Sequence, residues 1–289
     1  MKYGVIDIGS NSVRLMMSDG VKTLYKKVIT TKLGEGVSLF PVLKETAIER
    51  TVDGVRTLYG DALADGADKV YAFATAAVRS AENGNVFIDR VKQVVGLNVE
   101  VVSGEVEAFL GLSGALNGKD GGIIDIGGAS TEITLSKDGQ TVYSHSLNLG
   151  VVRLVDLCGQ DEVLIRNTCK EKIKEYGLVP KTNFYAIGGT ATSLAGIDLE
   201  LEVYDPKKVH GYRLTVEDVS RLAKKLISLS VEERKKLKGL QPARAEVIAG
   251  GAILLEEIMK MLGVNYITVS ESDNLEGYLT YKLNLGENL

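Results

Sequence analysis

Hydrophobic and polar positions along this chain fall into two successions of the same kind. Residues 2–8, 13–18 and 21–30 read as three strands joined by tight turns, the second turn being Asp19-Gly20. A helix is expected over about 44–65, where Ala47, Ile48, Val52, Val55, Leu58 and Leu63 fall near helical spacing. A strand at 69–73, a helix near 84–95, a strand at 98–102 and a helix over 104–116 follow. From 121 the order begins again, with strands at 121–126, 131–136 and 140–147 and Asp138-Gly139 as the hairpin turn. Helix 161–176, strand 183–187, a helical region, helix 242–262, strand 265–269 and a terminal helix from about 272 complete it. The order βββαβαβα thus occurs twice, with insertions in the second copy. Leu201–Arg213 contains Pro206, has no clear periodicity, and is expected to be a loop.

The repeat is visible residue by residue. Tyr3–Arg14 and Gly121–Glu132 align without gaps and match at Gly4/Gly122, Ile6/Ile124, Asp7/Asp125, Ile8/Ile126, Gly9/Gly127 and Ser12/Ser130. Each copy is a buried strand ending in an aspartate, then a small-residue turn, then another strand. Such a turn offers backbone N–H groups to phosphate, and the aspartate suits a cation. At the last aligned position the copies differ, with Arg14 in the first and Glu132 in the second.

Strand triplets followed by alternating helices and strands imply mixed sheets with helices on their faces. The polar, glycine-rich run Asn117–Gly122 is the natural boundary, so the expected domains are 1–119 and 120–289. The terminal helix is expected to be able to pack back on the first domain. This pattern resembles the superfamily of actin, sugar kinases and heat-shock ATPases. The resemblance implies an α/β fold of two duplicated ribonuclease H-like domains with the active site in the cleft between them.

Composition narrows the field. The 289 residues are 45% hydrophobic and 25% charged, an ordinary globular balance. A net charge of −4 argues against binding duplex nucleic acid along its backbone. Cys158 and Cys169, without clustered histidines, fit neither a disulfide framework nor a zinc site. No basic and apolar leader opens the sequence and no apolar run approaches about 18 residues, so a cytoplasmic, membrane-free protein is expected. Arg234, Lys235, Lys236 and Lys238 read as a solvated helix face, and His145 and His210 as structural residues.

Further small-residue turns and charges add candidate chemistry. Gly9, Ser10, Asn11 and Ser12 supply donors in the first loop; Gly127, Gly128, Ala129, Ser130 and Thr131 supply them in the second. Gly188-Gly189-Thr190 lies between a strand and a helix, where Gly189 and Thr190 are candidate anion contacts. Arg79 sits among small residues within reach of a phosphate. Glu107 opens a helix, where a carboxylate is often only a dipole partner.

Taken in order, Asp7–Ser12, Thr75–Asn83, Ser103–Ala108, Asp125–Glu132 and Gly188–Thr190 resemble the motifs of the exopolyphosphatase and guanosine pentaphosphate phosphohydrolase family, from Tyr3 to about Gly277. The resemblance implies release of terminal orthophosphate from polyphosphate, or of the 5′ γ-phosphate of guanosine pentaphosphate, with Mg2+ or another divalent cation. It implies that Glu107 activates the attacking water with Glu132 as a second acid. It implies that Asp7, Asp125 and Glu132 surround the metal, and that Arg79 and the two loops hold phosphate. A homodimer is left open. Three positions depart from the family pattern: Ala129 for a glycine, Val106 for a glutamate, and no arginine in Ser270–Gly277. They keep a catalytically weak phosphoanion or nucleotide sensor as the alternative. A sugar or acid kinase is a third reading, without an acceptor-binding signature.

Overall fold

The computed structural model describes residues 1–286. They form two compact units, Met1–Gly114 with the terminal helix Asn274–Gly286, and Ala115–Asp273. The division falls inside the last turns of a helix, ahead of the 119/120 boundary expected from the glycine-rich run.

In the first unit, β1 (Tyr3–Ile8), β2 (Ser12–Ser18) and β3 (Thr23–Thr30) form an antiparallel meander. Helix α1 (Glu45–Ala64) leads to β4 (Lys69–Ala74), which pairs parallel with β1. Helices α2 (Ala76–Ser80) and α3 (Gly84–Val95), the short β5 (Glu100–Val101) and α4 (Gly104–Leu116) follow. The sheet order is β3-β2-β1-β4-β5.

Side chains alternate across a sheet with a period of two, which gives this sheet two separate cores. Ile6, Ile8, Val13, Leu15 and Ala72 pack with Ile48, Val52, Val55 and Phe87 of α1 and α3. Tyr3, Val5, Met16 and Phe73 face the other way, onto Leu110 of α4 and Leu275, Tyr278 and Leu279 of the terminal helix. The Phe73 and Tyr278 rings stack with centroids 4.4 Å apart, and Tyr278 donates to Glu100 Oε2 at 2.7 Å. Lys26 pairs with Glu276 at 2.9 Å, fixing the helix over β3.

The second unit repeats the plan with β6 (Gly121–Ile126), β7 (Thr131–Lys137) and β8 (Gln140–Leu147). Helices α5 (Val151–Cys158) and α6 (Glu162–Lys172), β9 (Phe184–Ile187) and α7 (Gly188–Asp198) come next. The insertion then supplies α8 (Pro206–Val209), β10 (Arg213–Thr215), α9 (Val216–Ser228) and α10 (Val231–Arg234). A short 3-10 turn (Pro242–Arg244), α11 (Ile248–Leu262) and β11 (Tyr266–Val269) complete it. The sheet order β10-β11-β9-β6-β7-β8 matches the first sheet with one extra antiparallel edge strand, β10.

Three expectations are corrected here. The segment read as a loop over 201–213 holds α8 and the start of β10, elements too short to show periodicity. Helix 242–262 begins as a 3-10 turn and is α-helical only from Ile248. Arg234 is no solvated side chain. It is 1% exposed and donates to the carbonyls of Leu226 and Ala245 and to Gln160 Oε1.

Gly277 shows how tightly the terminal helix is held. A Cβ there would lie 2.0 Å from the Leu110 carbonyl oxygen, which belongs to a helix backbone and cannot step aside. Alanine would add about 1 kcal/mol of helix propensity, but the clash outweighs it. Gly277→Ala is expected to lower the unfolding free energy by about 1–3 kcal/mol, read as a lower urea midpoint; an unchanged or higher midpoint would contradict this packing.

Candidate active site

The two hairpin loops close in the same way. Gly9 N–H donates to the Ser12 carbonyl at 3.0 Å, and Gly127 N–H to the Ser130 carbonyl at 3.0 Å. Beyond that closure each loop has its carbonyls taken by a neighbouring segment. In the first loop, the Ser10 carbonyl accepts from Gly34 N–H at 2.8 Å, and the Asn11 carbonyl from Thr31 and Lys32 N–H at 3.1 and 2.9 Å. In the second, the Gly127 carbonyl accepts from Val151 N–H at 3.0 Å and the Gly128 carbonyl from Val152 N–H at 2.8 Å. These donors are the orphan N–H groups of the first turn of α5. Arg153 Nε donates to the Ala129 carbonyl at 2.7 Å.

A trans peptide is planar, with its N–H directed opposite its C=O. The anchored carbonyls therefore turn the N–H groups of Asn11 and Ser12 away from segment 31–34. They turn those of Gly128, Ala129 and Ser130 away from α5. Consecutive N–H groups presented in this way form an anion-binding nest. Glycine is required behind each loop. A Cβ on Gly34 would lie 2.9 Å from Ser10 Cβ, and one on Gly150 would lie 2.5 Å from the Gly128 carbonyl group. Neither backing segment was singled out from the sequence. Segment 31–34 is irregular, and α5 has only eight residues.

The aspartates preceding the loops have opposite surroundings. Strand register places Asp7 opposite Arg14 and Asp125 opposite Glu132. Arg14 forms an ion pair with Asp7, its Nε 2.9 Å from Oδ2. Asp7, expected beside a metal, thus has one oxygen committed to a guanidinium. In the second copy two carboxylates share the corresponding positions. Glu132 is 3% exposed and accepts from Ser146 Oγ at 2.6 Å. Asp125 Oδ1 lies so close to Gly188 that a Cβ there would be 2.7 Å away, and Gly188 also has a φ of +78°. The carboxylate therefore faces the positive end of α7.

Arg79 and Glu107 meet within the first unit. Arg79 stands at the end of α2, and its Nη1 donates to the Val102 carbonyl at 2.9 Å and to Glu107 Oε2 at 3.0 Å. Glu107, in the first turn of α4, is 8% exposed. Burial pushes its carboxyl above the ordinary value; the Arg79 charge opposes that, and the charge on Asp7 adds to it. A carboxylate so raised is suited to take a proton from water.

The other expected contacts divide. Ser10, Asn11, Ser12 and Ser130 line the loops and are mostly buried. Asn11 Oδ1 has no hydrogen-bond donor among the described residues. Thr131 and Thr190 are turned inward, the first donating to the Leu149 carbonyl at 2.6 Å and the second to that of Ile126 at 3.4 Å. Both hydroxyls thus have a carbonyl partner within their own unit. Gly189 supports the Arg244 guanidinium, since a Cβ there would fall 1.7 Å from Arg244 Nη1. Arg244 was not found from sequence because its 3-10 turn lies far from the Gly188–Thr190 motif.

The family profile of the Ppx/GppA phosphatases matches residues 12–285. The chain belongs to that family. An exopolyphosphatase 2 from Mycobacterium tuberculosis is 30% identical, covering 96% of this chain and 97% of its own length. A bifunctional 3-dehydroquinate synthase/phosphatase from Fusobacterium nucleatum is 33% identical over 94% of this chain, which spans 45% of that longer protein. The crystal structure of an exopolyphosphatase from Cytophaga hutchinsonii superposes with a TM-score of 0.87 at 29% identity, covering 99% of this chain and 98% of that one. The duplicated, mixed-sheet fold expected from the sequence is the one this chain shares with that crystal structure. Among the described residues no helix is long and apolar enough to cross a membrane.

The raised carboxyl of Glu107 has a consequence for stability. Relative to the unfolded chain, the folded state disfavours its charged form. Its stabilising contribution is full below the ordinary value of 4.5 and is lost as pH rises through the raised folded value. Glu107→Gln removes this cost. The variant is expected to gain stability over the parent as pH rises toward neutrality, measured by urea unfolding across pH. A gain that is flat or shrinks with rising pH would contradict the assignment.

Proposed function

We propose that this chain is a phosphohydrolase that releases terminal orthophosphate from a phosphoanhydride chain, either inorganic polyphosphate or the 5′ end of guanosine pentaphosphate. The observation that carries the reading is the buried Glu107 with its raised carboxyl, held against Arg79 beside a loop whose amides face outward. The relatives named as exopolyphosphatases support it.

Phosphoryl transfer asks a protein for positioning and charge neutralisation more than for covalent chemistry. The amides of the first loop, in the same unit as Arg79 and Glu107, hold phosphoryl oxygens, and Arg79 gives its unbonded guanidinium edge to the terminal group. Glu107 orients the attacking water and takes its proton. A bond forms between the water oxygen and the terminal phosphorus. The bridging P–O bond breaks, and the electron pair leaves with the shortened chain. Protonated Glu107 then returns its proton to solvent.

A divalent ion suits this site as a partner of substrate rather than a caged centre. Among the described residues no three acidic, histidine or cysteine side chains come together as a ligand set. Mg2+ needs one or two carboxylates, with phosphate oxygens and water for the rest. Asp125 and Glu132, opposite each other across β6 and β7, are the residues that would hold it. When bound, the ion would neutralise charge on the phosphoryl oxygens.

The test is orthophosphate release from polyphosphate, guanosine pentaphosphate and ATP, with Mg2+ and with a chelator. Release is expected from at least one of the first two and is expected to stop with the chelator. Glu107→Gln is expected to lower kcat by about 10²–10⁴-fold. Normal turnover by that variant would overturn the role of Glu107. Tight binding of these anions without release would overturn the enzyme and favour a sensor.

A further inference from the structure

One buried cation is not used by the mechanism. Arg153, in the first turn of α5, is 9% exposed. A guanidinium carries five N–H donors, and Arg153 spends one on the Ala129 carbonyl. Among the described residues its side chain makes no other hydrogen bond and no ion pair. Asp156, one turn along α5, acts on its charge only from a distance, while burial depresses its pKa. The other guanidiniums differ. Arg234 is buried but satisfied by three oxygens, and Arg14, Arg79 and Arg166 each face a carboxylate. A buried guanidinium with no carboxylate in contact is costly to the folded state.

What it touches indicates where that charge acts. The Ala129 carbonyl belongs to the same peptide as Ser130 N–H, one of the three amides turned outward. A cation bonded to one end of a peptide polarises the other and makes its N–H a stronger donor. In a desolvated setting the charge also acts across the thickness of one peptide with little screening. We propose that Arg153 is a positioning residue for anion binding, delivering its buried positive charge to phosphate through the Ala129–Ser130 peptide. The proposal rests on the reading that the second loop binds phosphate.

Glutamine separates the charge from the hydrogen bond. Its Nε2 is attached to Cδ, as the arginine Nε is, so Arg153→Gln keeps a donor for the Ala129 carbonyl and removes the charge. Arg153→Met removes both. The probe is tripolyphosphate, titrated by calorimetry into the full chain, with Tm recorded without ligand. Arg153→Gln is expected to weaken binding on the order of tenfold, the range of a hydrogen bond strengthened by charge. Arg153→Met is expected to weaken it further. The ligand-free Tm of Arg153→Gln is expected to equal or exceed that of the parent, because a buried charge has gone. In turnover the loss is expected in KM more than in kcat.

Parent-like binding by Arg153→Gln would overturn the proposal, as would a binding loss accompanied by a lowered Tm. A parent protein that binds tripolyphosphate but hydrolyses nothing would overturn the proposed function alone, and the calorimetric comparison would still decide Arg153. A parent that neither binds nor hydrolyses would overturn both.

Discussion

A peptide group has a donor end and an acceptor end, and in both small-residue loops the acceptor ends are already engaged. Segment 31–34 takes the carbonyls of Ser10 and Asn11, while the first turn of α5 with Arg153 takes those of Gly127, Gly128 and Ala129. The donor ends are thereby committed to the opposite side before any ligand arrives. Preorganised donors need no reorientation at the moment of binding, which is what gives such sites their strength. The glycines behind the loops, Gly34 and Gly150, serve that approach, since neither position has room for a Cβ.

The duplication gives two similar frames with unequal chemistry. Both hairpins close through the same hydrogen bond, and both place the residue at the end of the motif opposite the aspartate. One exchange at that position, Arg14 against Glu132, turns an ion pair into a pair of acids. The first frame therefore has Asp7 partly neutralised, and the proposed reactive groups Glu107 and Arg79 paired with each other. The second has two carboxylates suited to a divalent ion, beside a loop reinforced from behind by a buried guanidinium.

Much of this was legible in the sequence because it repeats. The paired strands, the turns Asp19-Gly20 and Asp138-Gly139, and the aligned aspartates each appear twice, and the fold follows from them. The Arg79–Glu107 contact was legible only through family motifs, since the two residues lie on separate helices with a strand between them. Other features left no local signal. The three residues of β10 carry no usable period, and α8 has one turn. Arg234 sits within a basic run that reads as surface, yet it is buried because three oxygens converge on its guanidinium. The hydroxyls of Thr131 and Thr190 look like ligand donors in a motif, but packing turns them toward carbonyls.

The central claim is that anchored carbonyls aim the loop amides at phosphate. It is tested most directly by following backbone amide resonances of the isotopically labelled protein as tripolyphosphate is added. The account predicts saturable shifts at Asn11 and Ser12 and at Gly128, Ala129 and Ser130, with the amides of Val151 and Val152 remaining protected from exchange because their bonds to the loop persist. Saturable binding that leaves the amides of 128–130 unmoved, or that releases Val151 and Val152, would contradict it.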